Sequence, residues 1–107
     1  MRSSDQDPGT LEQRLRLGPG FQDADRERVF SALTALDRHL ARWNPEQVDI
    51  RLSIKHRESL EQRVTFEIWL PHWPSLVVHF DDPDLDRALV EARKLMIREI
   101  EDERERS

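Results

Sequence analysis

In this 107-residue chain the densest basic group between the two helical stretches lies at residues 51–63, where Arg51, Lys55, His56, Arg57 and Arg63 gather around a polar link. Guanidinium forks and an ammonium at such close spacing are the groups that meet phosphate oxygens through charge-assisted hydrogen bonds. A solvated hairpin accounts for the same residues. Arg93, Lys94 and Arg98 form a second basic group, but Glu91, Glu99 and Asp102 stand at helical spacings from them and could neutralise them within one helix. A third set combines Arg14, Arg16, Arg51 and Lys55 with Trp69, Val77 and His79, opposed by Glu12, Asp49 and Glu67. Cations beside an aromatic on a sheet suit stacked RNA bases, and Trp and Arg also anchor protein interfaces. Self-association or a partner protein is the better reading of Arg14, Arg16, Trp69, Val77 and His79. Trp73, in the run Pro71-His72-Trp73-Pro74, reads as a hairpin-tip residue with a structural role.

Chemistry of other kinds finds little support. His39, His56, His72 and His79 show no H-x-x-x-H or H-E-x-x-H spacing, so no metal site is expected. Asp81, Asp82, Asp84 and Asp86 resemble a calcium loop in composition only, because Pro83 and the missing glycine spoil it; complementarity to a helix N-terminus explains them better. The chain has no cysteine, which removes disulfides, thiolate ligands and a thiol nucleophile, and it has no nucleophile elbow or glycine-rich phosphate loop. Neither catalysis, a cofactor nor a small-molecule substrate is expected.

The elements that must position these residues follow from apolar spacing. Residues 1–10 are polar and aperiodic and read as a flexible leader. Residues 11–17 alternate, with Leu11, Leu15 and Leu17 on one side and Glu12, Arg14 and Arg16 on the other, which predicts a first strand stopped by Gly18-Pro19-Gly20. Val29, Leu33, Leu36, Leu40 and Trp43 repeat at intervals of three and four, predicting a helix over 21–43 with Gln22 or Asp23 at its start and Asn44-Pro45 at its end. Three alternating runs at 48–56, 64–70 and 75–80 predict an antiparallel meander. Asp82-Pro83 opens a second helix with a buried stripe of Leu85, Leu89, Ala92, Met96 and Ile100. The expectation is one α+β domain over 11–103, ordered β-α-β-β-β-α, with two helices on one face of a four-stranded sheet and a frayed tail at 104–107.

Composition sets limits on this picture. Leu, Ile, Val and Phe make up about a quarter of the chain, above the range of disordered sequences, while charged residues reach 36 %. The net charge is −5, and residues 81–107 alone set ten acids against six cations. Nucleic-acid binders usually carry a basic excess, so this balance requires the cations to collect on one face if RNA is the partner. Fifteen of the seventeen cations are arginine. The sequence shows neither an apolar run of membrane-spanning length nor a secretory h-region, which makes the cytoplasm the expected compartment.

Element order and particular residues together resemble the ribosome hibernation-promoting factor family of bacterial ribosome-associated translation inhibitors, over about residues 11–103. Ala24, Arg26, Glu27, Val29, Leu33 and Leu36 are close to the family's A-L-R-E-x-V-x-x-x-L-x-x-L helix. Asp84-Leu85-x-x-Ala88-Leu89 is similar to its D-M-Y-x-A-I segment, and Met96-x-Arg98-x-Ile100 to its later L-x-R-x-L. The resemblance implies a βαβββα fold, related to the dsRNA-binding domain in part of its topology. It also implies non-catalytic docking on the small ribosomal subunit, RNA and protein alike, to inhibit translation in resting or stressed cells. The cations at family-like positions are Arg26, Arg38, Arg42, Lys55, His56, Arg57, Arg93, Lys94 and Arg98, to which the basic group adds Arg51. Two departures stand out: Phe30, Ser31, Ala32, Thr34 and Ala35 occupy the region where the family places helix lysines, and the second helix ends in acids. A protein-interaction module that keeps the fold and has lost RNA binding is the alternative they support.

Overall fold

The computed structural model describes residues 9–106; the rest of the expected leader, residues 1–8, and the terminal Ser107 lie outside that range. Four strands form one sheet in the order β1 (Leu15–Leu17), β2 (Asp49–Lys55), β3 (Arg63–Trp69) and β4 (Leu76–Asp81). β2, β3 and β4 make the expected antiparallel meander, while β1 lies parallel to β2 and reaches it by the long helical crossover that parallel neighbours require. Strand alternation then sorts the side chains. Ile50, Leu52, Ile54, Val64, Phe66, Ile68, Leu76 and Val78 are buried, and their neighbours along each strand form an open second face.

Residues 11–17 depart from the single strand that their alternation predicts. Thr10–Arg14 winds into a short helix, α1, and only Leu15–Leu17 joins the sheet. Leu11 and Leu15 satisfy both patterns, because a separation of four residues returns to the same side of a helix as well as of a strand. A distant residue settles the choice: Asp37 accepts the Leu11 N–H at 2.8 Å and caps the turn. Gly9 stands against the same carboxylate, where a β-carbon would collide with it.

The predicted helix over 21–43 is segmented. A 3-10 turn at Asp23–Asp25 leads into α2 (Arg26–Leu33), a second at Thr34–Leu36 interrupts the winding, and α3 (Asp37–Leu40) completes it. At the interruption, Arg93 Nη1 donates to the Ala32 carbonyl at 2.8 Å, a side-chain intrusion of the kind that breaks an α-helical ladder. The apolar face still works as expected, with Val29, Leu33, Leu36 and Leu40 fully buried. Trp43 lies beyond the last helical residue and packs edge-to-face on Trp73, with ring centroids 4.9 Å apart, so the β3–β4 turn is pinned to the end of the helical segment.

The last helix, α4, covers Leu85–Arg106 and buries Leu85, Ala88, Leu89, Ala92, Met96 and Ile100 against the sheet and α2. Its start is two residues later than Asp82-Pro83 suggests. Asp82 instead accepts the Asp84 N–H at 2.8 Å, and Asp84 takes the capping role through the Arg87 N–H at 3.2 Å. Helical structure continues past residue 103, and Arg106 pairs with Glu103 at 3.0 Å.

Candidate nucleic-acid interface

The sequence-derived cations divide among three places rather than forming one patch. Arg26, Arg38, Arg42, Arg93, Lys94 and Arg98 belong to the helical layer, Lys55, His56 and Arg57 to the end of β2 and the loop after it, and Arg51 to the open face of the sheet. On the helices, Arg38 and Arg98 are exposed and make no hydrogen bond or ion pair among the described residues. The Arg42 guanidinium lies 4.9 Å over the Trp43 ring and that of Arg26 4.9 Å over Phe30, which orients both without neutralising them. Lys94 is exposed but shares its charge with Glu91 at 3.3 Å. Arg93 is half-buried, with its Nε enclosed and unpartnered while Nη1 holds Ala32.

The basic loop is divided in the same way. Lys55 and His56 are exposed, and His56 takes a left-handed backbone conformation (φ 55°), as does Glu58 (φ 68°), so the chain turns sharply just after β2. Lys55 and His56 line one side of a shallow depression of about 450 Å³, completed by Leu60, Glu61, Arg63 and Asp81. Arg63 is bound to Asp81 through two hydrogen bonds at 2.7 and 3.1 Å, which raises the affinity of the guanidinium for its proton and lowers that of the carboxylate. Arg57 turns inward. Its Nη1 and Nη2 donate to the two Asp25 oxygens at 2.7 and 2.9 Å, and Nη1 also reaches the Gly20 carbonyl at 2.8 Å. Hydrogen bonding from Arg57 and from the Gln22 N–H holds the Asp25 carboxyl down at about 2 and raises the arginine in turn.

Sequence reasoning missed the two residues that organise this region. Asp25 sits near the start of the helical segment, where an acid suits the helix dipole, and its partner lies 32 residues away. Gln62 is fully buried in the loop, where Nε2 donates to the Asp82 and Pro83 carbonyls and Oε1 accepts from Glu58 N–H. Nothing in the sequence around Gln62 marks it as different from the exposed polar residues beside it.

Of the residues assigned to a protein interface, Arg16, Trp69, Val77 and His79 share the open sheet face, whereas Arg14 is the last residue of α1 and lies outside the sheet. Across the strands, Arg16 stands opposite Arg51, Arg51 opposite Glu67, and Glu67 opposite Val77. Trp69 is 36 % exposed and Val77 41 %. Arg14 is occupied by the Val48 carbonyl at 2.8 Å and Asp49 at 3.1 Å, and His79 Nδ1 meets the Thr65 hydroxyl at 3.0 Å. Among the described residues no group of three or more His, Asp or Glu side chains converges to hold a metal ion, and no helix is long and apolar enough to cross a membrane.

A parallel β1–β2 pair with a helical crossover, an antiparallel meander and a long last helix on the same face match solved structures over most of this chain. The N-terminal domain of Protein Y from Thermus thermophilus superposes with a TM-score of 0.63 at 18 % identity, covering 83 % of this chain and 97 % of that one. This chain has the protein Y N-terminal fold. A ribosomal subunit interface protein from Coxiella burnetii agrees, with a TM-score of 0.64 at 11 % identity, covering 83 % of this chain and 94 % of that one. No family model and no curated protein matches the sequence. The likeness to the protein Y domain therefore lies in backbone arrangement, and the surface cations have to be judged on their own positions.

Proposed function

We propose that this chain binds the small ribosomal subunit and modulates or inhibits translation in resting or stressed cells, in the cytoplasm, without catalysing a reaction. The observation that carries this reading is the near-complete coverage of two chains described as Protein Y and as a ribosomal subunit interface protein. The exposed cations Arg38, Arg42 and Arg98 on the helical layer, with Lys55 and His56 at the loop, support it as contacts to ribosomal RNA. Arg57 and Arg93 contribute indirectly, by holding the loop and the helix in place. Co-sedimentation with purified small subunits at low and moderate salt is the test: pelleting at about one copy per subunit that weakens steeply with ionic strength is expected, and failure to pellet at low salt would overturn the reading.

A second reading follows from the exposure of Trp69 and Val77 and from the acids at the end of α4, Glu101, Asp102 and Glu105. Here the chain is a protein-interaction module acting through a homodimer or a partner on the open sheet face. Light scattering separates the two: a dimer that persists in high salt and dissociates in Trp69→Ala favours the module, because apolar contacts are not screened as phosphate contacts are.

A further inference from the structure

The open sheet face holds a pair of arginines that the strand register sets side by side. β1 and β2 run parallel with Arg16 directly opposite Arg51, so the two guanidiniums leave the same face of strands about 4.8 Å apart. Like charges in that position repel, and the nearby acids leave most of the charge uncancelled. Asp49 is taken by Arg14 at 3.1 Å and stands 3.9 Å from Arg16, whose side chain remains 69 % exposed. Glu67 is the cross-strand neighbour of Arg51 on the other side, yet Arg51 makes no hydrogen bond or ion pair among the described residues. Gly18 completes the arrangement. A methyl group on its α-carbon would lie 3.2 Å from Arg51 Nε, 3.3 Å from the Leu52 carbonyl oxygen and 3.6 Å from Nη2, so the guanidinium packs along the Gly18 backbone at the strand end. Arg16, Leu17, Gly18 and Arg51 together line a depression of about 280 Å³.

We propose that Arg16 and Arg51 clasp a phosphate group of an RNA strand. Two planar forks on adjacent strands suit the several oxygens of a phosphodiester better than a single carboxylate, and binding an anion relieves their mutual repulsion. The ribosome-binding reading supplies the source of that phosphate. The clasp itself rests on the register of β1 and β2 and on the depression that Arg16 and Arg51 line together.

The test follows arginine Nε–H resonances of the whole ¹⁵N-labelled protein while an oligouridylate of about ten nucleotides is added. Saturating, salt-sensitive shifts of Arg16 and Arg51 are expected. Arg16→Gln and Arg51→Gln should each weaken binding about tenfold and lower the salt slope by about 1. Shifts confined to other arginines, or affinity unchanged in both glutamine variants, would overturn the clasp. Tighter binding of a polyglutamate peptide at the same two residues would overturn the assignment to RNA in favour of an acidic protein segment. If the oligouridylate engages Arg16 and Arg51 while small subunits do not pellet the protein, the ribosome reading fails and the clasp stands. Salt-sensitive pelleting with no shift at these two arginines sinks the clasp and leaves the ribosome reading in place.

Discussion

Arg57 grips both carboxylate oxygens of Asp25, at 2.7 and 2.9 Å, and with its remaining reach holds the carbonyl of Gly20. One guanidinium thereby ties three separate pieces of chain: the loop after β2, the turn that opens the helical segment, and the Gly18-Pro19-Gly20 exit from β1. Asp25 is only 8 % exposed, so removing either partner leaves a desolvated charge. Arg57→Ala should destabilise the protein by about 2 kcal/mol in urea denaturation. The companion variant Lys55→Glu, on an exposed residue, should leave stability within about 0.5 kcal/mol and instead weaken pelleting with small subunits. Equal stability of the two variants would show that the clamp is not structural.

The same pair predicts a dependence on acid. The Asp25 carboxyl titrates near 3.8 in a model peptide and at about 2 in the folded chain, so between these values the unfolded state binds more protons. Stability from the pair is complete above the unfolded value and is lost as pH falls through about 2, a total of roughly 2 kcal/mol. Urea midpoints measured between pH 5 and pH 2 should decline more steeply in the parent than in Asp25→Asn, which has no proton to take up.

Gly20 adopts φ +93°, and a β-carbon there would approach the Ile54 carbonyl oxygen to 2.5 Å. The close approach comes from Pro19, whose carbonyl accepts the Ile54 N–H at 2.9 Å and extends the β1–β2 pairing past the strand. Gly20→Ala should cost roughly 1–3 kcal/mol, read as a lower melting temperature. A melting temperature equal to the parent's would show that the loop relaxes freely.

Gln62 supplies the Asp82 and Pro83 carbonyls with their side-chain donor, joining the β2–β3 loop to the entry of α4. Gln62→Leu keeps the volume and removes the donors, so it should destabilise by about 2 kcal/mol. Faster hydrogen exchange at the Asp82 N–H, which bonds to the Gln62 carbonyl at 3.0 Å, should accompany the loss.

On the helical layer, Arg38→Glu and Arg98→Glu reverse exposed charges that no described acid engages. Each should leave the urea midpoint unchanged and lower the salt slope of small-subunit pelleting by about 1 or more. Pelleting that matches the parent at every salt concentration would remove these residues from the interface.

The meander and the two apolar helix faces are legible in residue spacing alone. Ile50, Leu52 and Ile54, Val64, Phe66 and Ile68, and the stripe from Leu85 to Ile100 are buried as their spacing requires, because period and face are local properties of a chain. Long-range contacts resolve what local spacing leaves degenerate. Leu11 and Leu15 fit a helical turn as well as a strand until Asp37 caps the turn from a distant helix, and the 3-10 break at Thr34 appears where Arg93 reaches Ala32. Such contacts also set the fate of the cations. In the sequence Arg57 and Lys55 are equivalent members of one basic run, yet the first is bound to a buried carboxylate and the second faces solvent. Charge on a side chain is a property of its type, whereas its availability to a partner depends on which distant groups the fold brings within hydrogen-bonding reach.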